Sequence, residues 1–163
     1  MIQIIMRAQI DHFLILTYLV IIKEKGVFMS TFIPIDEYTS PIEVVFKQDT
    51  PLIEIEKFFA QGNYRHAPIV HDGKPVGLVS QRDLYRAYAT NKEGTKVASD
   101  VMVEDPLCVA LGTGLDTVAF KMAEKKIGSV LVVDQEGRLD GIFTSIDGFN
   151  ALIEILREQM KEF

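Results

Sequence analysis

The 163-residue chain has one cysteine, no tryptophan and three histidines, and the scarcity of cysteine and histidine excludes whole classes of function. A single thiol, Cys108, closes no intrachain disulfide, which excludes disulfide-stapled secreted scaffolds and makes a reducing cytoplasm the expected location. Cys108 sits between Leu107 and Val109, so a buried, inert thiol is expected. His12, His66 and His71 show no metal-ligand spacing with it, so no metal site is expected. Positive charge is short as well: 17 Lys and Arg face 23 Asp and Glu, a net charge of -6. Binding to a nucleic-acid backbone needs cations that displace counterions, so no nucleic-acid partner is expected. Long apolar runs are also missing. Phe13 to Ile22 is about half the roughly twenty residues that cross a bilayer, so no membrane span is expected. Asp11 before it and Lys23-Glu24-Lys25 after it do not fit an export leader.

Residues 1–28, which contain that run, match nothing else in the chain. Two readings are open. The segment is either a helix that docks its apolar face on a partner, or sequence lying upstream of a true start at Met29. The second is preferred, because codons for Lys25-Gly26-Val27 can spell a bacterial ribosome-binding sequence just before Met29, where an ordinary polar start, Met-Ser-Thr, begins.

What remains is an ordinary globular mixture, 48% hydrophobic and 25% charged, which predicts a folded chain. It contains a duplication. Gly77-Leu78-Val79-Ser80-Gln81-Arg82-Asp83 matches Gly141-Ile142-Phe143-Thr144-Ser145-Ile146-Asp147 at a constant offset, and the Gly-containing turns Asp72-Gly73-Lys74 and Glu136-Gly137-Arg138 keep it. Upstream the offset is shorter by one, because the second turn has an extra residue, and Ala67–Val70 then faces Val130–Val133 as paired strand candidates. Before each strand, Leu52, Ile55 and Phe59, and Leu115, Val118 and Met122, recur at helical spacing. Thr50-Pro51 supplies an N-cap with proline at the first helical position, and Thr113-Gly114-Leu115-Asp116 has a capping-box-like pattern with Asp in place of the usual Glu. A second helix follows each signature, carrying Leu84, Ala87 and Tyr88, then Phe149, Leu152, Ile153 and Leu156. A proline-containing lead-in also recurs, Tyr38–Val44 and Val101–Val109, and a polar connector runs from Asn91 to Ser99. The expected fold is mixed α/β (α+β), with two β-α-β-β-α repeats at 29–95 and 96–163 behind a non-matching 1–28.

The ordered repetition of the lead-in proline, Arg65-His66-Ala67-Pro68-Ile69-Val70 and the Gly-x-x-Ser/Thr-x-x-Asp signature resembles the tandem CBS domain, the Bateman module, of a free-standing bacterial or archaeal type. The resemblance spans residues 35 to 158. It implies two units packed about a pseudo-twofold axis, clefts at their interface, and frequent pairing of modules into a homodimer. It also implies a regulatory ligand, commonly AMP, ADP or ATP, less often S-adenosylmethionine or another nucleotide, with no required cofactor. By the same resemblance Asp83 and Asp147 would bind the ribose hydroxyls, and Ser80 and Thr144 would approach the phosphate. Thr39 matches a position that often contacts the base. Arg65, His66 and Arg82 would neutralise phosphate in the first copy, although the family often has the Arg65-His66 order reversed. The second copy has Gly128, Ser129 and Ile146 at those places.

The chemistry suits the role independently, since a carboxylate accepts two hydrogen bonds from a vicinal diol and a helix start suits a phosphate. Helix capping alone would also place Ser80 with Asp83 and Thr144 with Asp147, though capping does not ask for the preceding glycine. Gly73-Lys74-Pro75 lacks the spacing of a phosphate loop, and Gly112-Thr113-Gly114 lacks the third glycine of a dinucleotide site. No nucleophile elbow surrounds Ser80, so no enzyme activity is expected. The expected function is a sensor of an adenine nucleotide that signals to an unidentified protein target. The alternative is a ligand-free dimerisation scaffold.

Overall fold

The duplicated turns predict two hairpins, and a computed structural model places both. It describes residues 32–62, 64–90 and 97–161. The expectations for the segment before Met29, and for 91–96 of the connector, lie outside the described residues. The chain divides into two units at Phe32/Ile33, and everything below concerns the second.

In the first copy, helix α1 (Leu52–Ala60) leads to strands β2 (His66–His71) and β3 (Lys74–Ser80) and then to α2 (Gln81–Ala89). In the second, α3 (Leu115–Lys125) leads to β6 (Ser129–Val133), β7 (Leu139–Thr144) and α4 (Ser145–Lys161). The first hairpin closes on two residues, Asp72 and Gly73, at φ 50° and 76°. That is the pair of left-handed residues a tight, twist-matched turn requires. The second turn is longer, and the Asp134 carboxylate accepts from the Glu136 and Arg138 amides at 2.9 and 2.8 Å. The two turns meet: the Leu139 amide donates to the Gly73 carbonyl at 2.9 Å.

The lead-ins are exchanged between the copies. Strand β1 (Ser40–Pro41) pairs antiparallel with β7 of the second copy, through Ser40 with Ile142 and Pro41 with Gly141. Strand β4 (Val103–Glu104) pairs in the same sense with β3 of the first copy, through Val103 with Leu78 and Glu104 with Gly77. Strand β5 (Cys108–Ala110) runs parallel to β6, and Phe46 makes the matching single bridge to Ile69. The sheets are therefore β1-β7-β6-β5 and β2-β3-β4.

The cores follow the exchange. One holds Leu52, Ile55, Phe58, Phe59, Ile69, Val79 and Leu84, together with Ala98 from beyond the connector. The other holds Val109, Val118, Met122, Val130, Val132 and Phe143, together with Ile35 from the first lead-in. Backbone bonds fix these guests: Ile35 N–H to Thr113 C=O at 2.8 Å, and Ala98 N–H to Thr50 C=O at 2.9 Å.

Three local expectations are corrected. Thr50 does not cap α1. The cap position is Pro51, while the Thr50 hydroxyl accepts from the Lys47 amide at 2.9 Å and closes the preceding turn. Likewise Gly114 stands at the start of α3 with no side-chain cap, and the Thr113 hydroxyl donates to the Ala110 carbonyl at 2.6 Å. Cys108 is exposed, because the strand alternates and Val109 takes the inward place. Its partial burial still pushes the thiol pKa up.

Candidate functional site

Each signature sits where a strand ends and a helix begins. In the first, the Ser80 hydroxyl donates to Asp83 Oδ2, and the same oxygen accepts from the Ser80 amide at 2.9 Å. The Asp83 amide returns a bond to the Ser80 hydroxyl at 3.3 Å, which completes a reciprocal cap of α2. In the second, Asp147 Oδ2 accepts from both the amide and the hydroxyl of Thr144 at 2.7 Å. In both copies these bonds land on one carboxylate oxygen, Oδ2. The first helical amides are also occupied: Gln81 donates to Arg65 C=O and Ser145 to Gly128 C=O, each at 3.0 Å. Later first-turn N–H groups have no intrahelical acceptor, which leaves a locally positive helix start.

The structure gathers the expected residues into two groups. Arg65, His66, Ser80, Arg82 and Asp83 lie together: His66 pairs across the hairpin with Ser80, and Arg65 anchors the start of α2. His66 is half-buried, and that burial lowers its pKa; Asp83 pulls the other way and Arg65 adds to the lowering. Among the described residues neither Arg65 nor Arg82 forms an ion pair. Thr144, Asp147 and Thr39 form the second group.

Thr39 reaches that group through the exchanged lead-in. Its hydroxyl donates to the Ile35 carbonyl at 2.9 Å, and its methyl lies against Gly141, where a Cβ would collide with it and come within 3.0 Å of Ser40 O. Met102 occupies the equivalent place over Gly77 and would collide with a Cβ there. The signature glycines therefore have a packing reason, and they no longer separate ligand binding from capping. Met102 was not singled out from the sequence, although the lead-in offset that carries Thr39 into the second copy lands on it.

A cavity of about 400 Å³ lies further along α4, lined by Asn150, Ile153, Glu154, Arg157 and Glu158, none of which belongs to a signature. Tyr38 borders it, donating to Glu154 at 3.0 Å. Among the described residues no cluster of His, Cys, Asp and Glu could hold a metal, and no helix is long and apolar enough to cross a membrane.

Comparison with known proteins places this geometry. The chain is similar to the L-aspartate semialdehyde sulfurtransferase of Methanocaldococcus jannaschii, 35% identical over 97 residues that cover 59% of this chain and 18% of that much longer protein. Among solved structures it is similar to the CBS domain pair of protein MJ0100 in complex with 5'-methylthioadenosine and S-adenosyl-L-methionine. The identity is 29%, the coverage 74% of this chain and 96% of that one, and the TM-score 0.68. It is also similar to CBSX2 of Arabidopsis thaliana in complex with AMP, 27% identical, covering 75% of this chain and 97% of that one, with a TM-score of 0.68. The family model of the CBS domain matches residues 35–90 and 98–154, the stretches that carry the two signatures and their exchanged lead-ins, and the chain belongs to the CBS domain family as a tandem pair.

Proposed function

We propose that the chain is a regulatory module of the cytoplasm that binds an adenine nucleotide, AMP, ADP or ATP, at its signature sites and passes the bound state to a protein target. The observation that carries this reading is the duplicated carboxylate at a helix start, bonded through Oδ2 to its Ser or Thr, in a chain similar to CBS pairs bound to AMP and to S-adenosylmethionine. Oδ2 is occupied by the cap, and a ribose diol needs an acceptor that the other oxygen supplies. Asp83 and Asp147 would take the ribose, with Ser80, Thr144 and the helix starts toward the phosphate. Arg65, His66 and Arg82 would add charge at the first site, and Thr39 would line the second. The module would act as a homodimer, because α4 leaves Phe149, Leu152, Ile153 and Leu156 exposed at 60%, 50%, 46% and 48% on one helical stripe.

A ligand-free scaffold is favoured by one observation, that capping and glycine packing account for every signature residue. Thermal unfolding with AMP, ADP, ATP, S-adenosylmethionine and NADH decides between the two. A bound ligand raises the midpoint logarithmically with concentration. The sensor reading expects a rise with an adenine nucleotide, and no shift with any of the five at millimolar concentration would leave the scaffold.

A further inference from the structure

The two signature sites are alike in backbone and unlike in charge. Applying the repeat offsets, Arg65 becomes Gly128, His66 becomes Ser129 and Arg82 becomes Ile146. Each basic group at the first site is replaced by an uncharged residue at the second. The first site's cations are also available, since Arg65 and Arg82 are exposed and form no ion pair among the described residues. Beyond the second signature, along the exchanged lead-in and further down α4, the surroundings are acidic. Asp36 holds the Gly112 amide at 2.9 and 3.0 Å beside the exchanged lead-in. After burial, Glu154, Glu37 and Glu158 are what hold the Tyr38 hydroxyl's pKa up, one residue from Thr39. Arg157 is the single cation on α4 between Asn150 and Glu158. Lys126 ends α3, two residues before Gly128, and is exposed to solvent. Ser129, in place of His66, offers a buried hydroxyl suited to a neutral polar group.

A phosphate dianion leaving water needs charged donors to replace its hydration, whereas a ribose and a base need only neutral acceptors, donors and apolar walls. Resting on the nucleotide reading above, we propose that the sites divide by charge: the site of Ser80 and Asp83 takes a phosphate-bearing nucleotide, and the site of Thr144 and Asp147 takes a nucleoside without a phosphate.

Titration calorimetry on the full chain with AMP and with adenosine tests this. The expected result is one AMP per chain, weakened at least tenfold by Arg82→Ile, and one adenosine per chain, unaffected by Arg82→Ile and weakened by Asp147→Asn. The reciprocal variant Ile146→Arg should add a second AMP per chain. Arg82 and Ile146 are exposed, so both substitutions leave the cores intact. Two AMP bound per wild-type chain with equal affinity, AMP binding unchanged in Arg82→Ile, or AMP bound once with no adenosine bound, would each overturn the division while leaving the nucleotide reading standing. Failure of both ligands to bind overturns this division, and the nucleotide reading falls with it when ADP and ATP also leave the unfolding midpoint unmoved.

Discussion

Gly141 and Gly77 hold equivalent places, and their neighbours differ in how far they can yield. A Cβ on Gly141 would meet the Thr39 methyl and lie 3.0 Å from the backbone oxygen of Ser40, which is paired in the sheet. Beside Gly77 stands only the flexible side chain of Met102. Gly141→Ala should therefore cost about 1–3 kcal/mol by overpacking, and Gly77→Ala distinctly less, as urea denaturation would measure. No local pattern could show this, because the residue that excludes the methyl lies about a hundred positions away in the chain. The Ser-Asp and Thr-Asp pairs, by contrast, were legible, since their partners are three residues apart.

His66 gives a pH signature at the same scale. Burial holds its folded pKa below the ordinary 6.5, against the pull of Asp83 and with the help of Arg65. Below pH 6.5 the unfolded chain binds a proton that the folded chain resists, so stability is full above 6.5 and falls as the pH drops through the window down to the folded pKa. His66→Gln should flatten that acid-side loss, measured as the unfolding midpoint against pH.

Among the elements, α4 departs most from what periodicity implies. Its apolar residues recur at helical spacing, yet Phe149, Leu152, Ile153 and Leu156 face away from the core, while Ala151 is buried. Periodicity locates a stripe but not what covers it, so the helix was legible and its inward face was not. The first copy carries the same signal more weakly: Leu84 is buried, while Tyr88 is exposed and donates to Glu56 at 2.9 Å. If the α4 stripe joins two copies, Leu152→Glu should shift the sedimentation coefficient from dimer to monomer with helicity unchanged. A dimer that persists would place the contact elsewhere. The helix starts at Pro51 and Gly114 were misread for a related reason: each neighbouring threonine bonds backward to a turn rather than forward to the helix.

Across the whole molecule, the duplication read from sequence is real, but the cores are not the two halves of the chain. Ile35 completes the second core and Ala98 completes the first. Fragments 29–95 and 96–163, expressed separately, should each lack native cooperativity. Mixed, they should recover a single unfolding transition with near-native circular dichroism. Independent folding of either fragment would show the exchanged strands to be dispensable.

The exchange also ties the two sites together mechanically. Pro41 is registered on the sheet of the second signature, and Phe46, five residues on, bridges to Ile69 in the sheet of the first. A ligand that displaced Thr39 and Ser40 would have only this short segment between it and the strand that carries His66. If occupancy of one site changes the affinity of the other, thermodynamic reciprocity requires the factor to be identical in both directions.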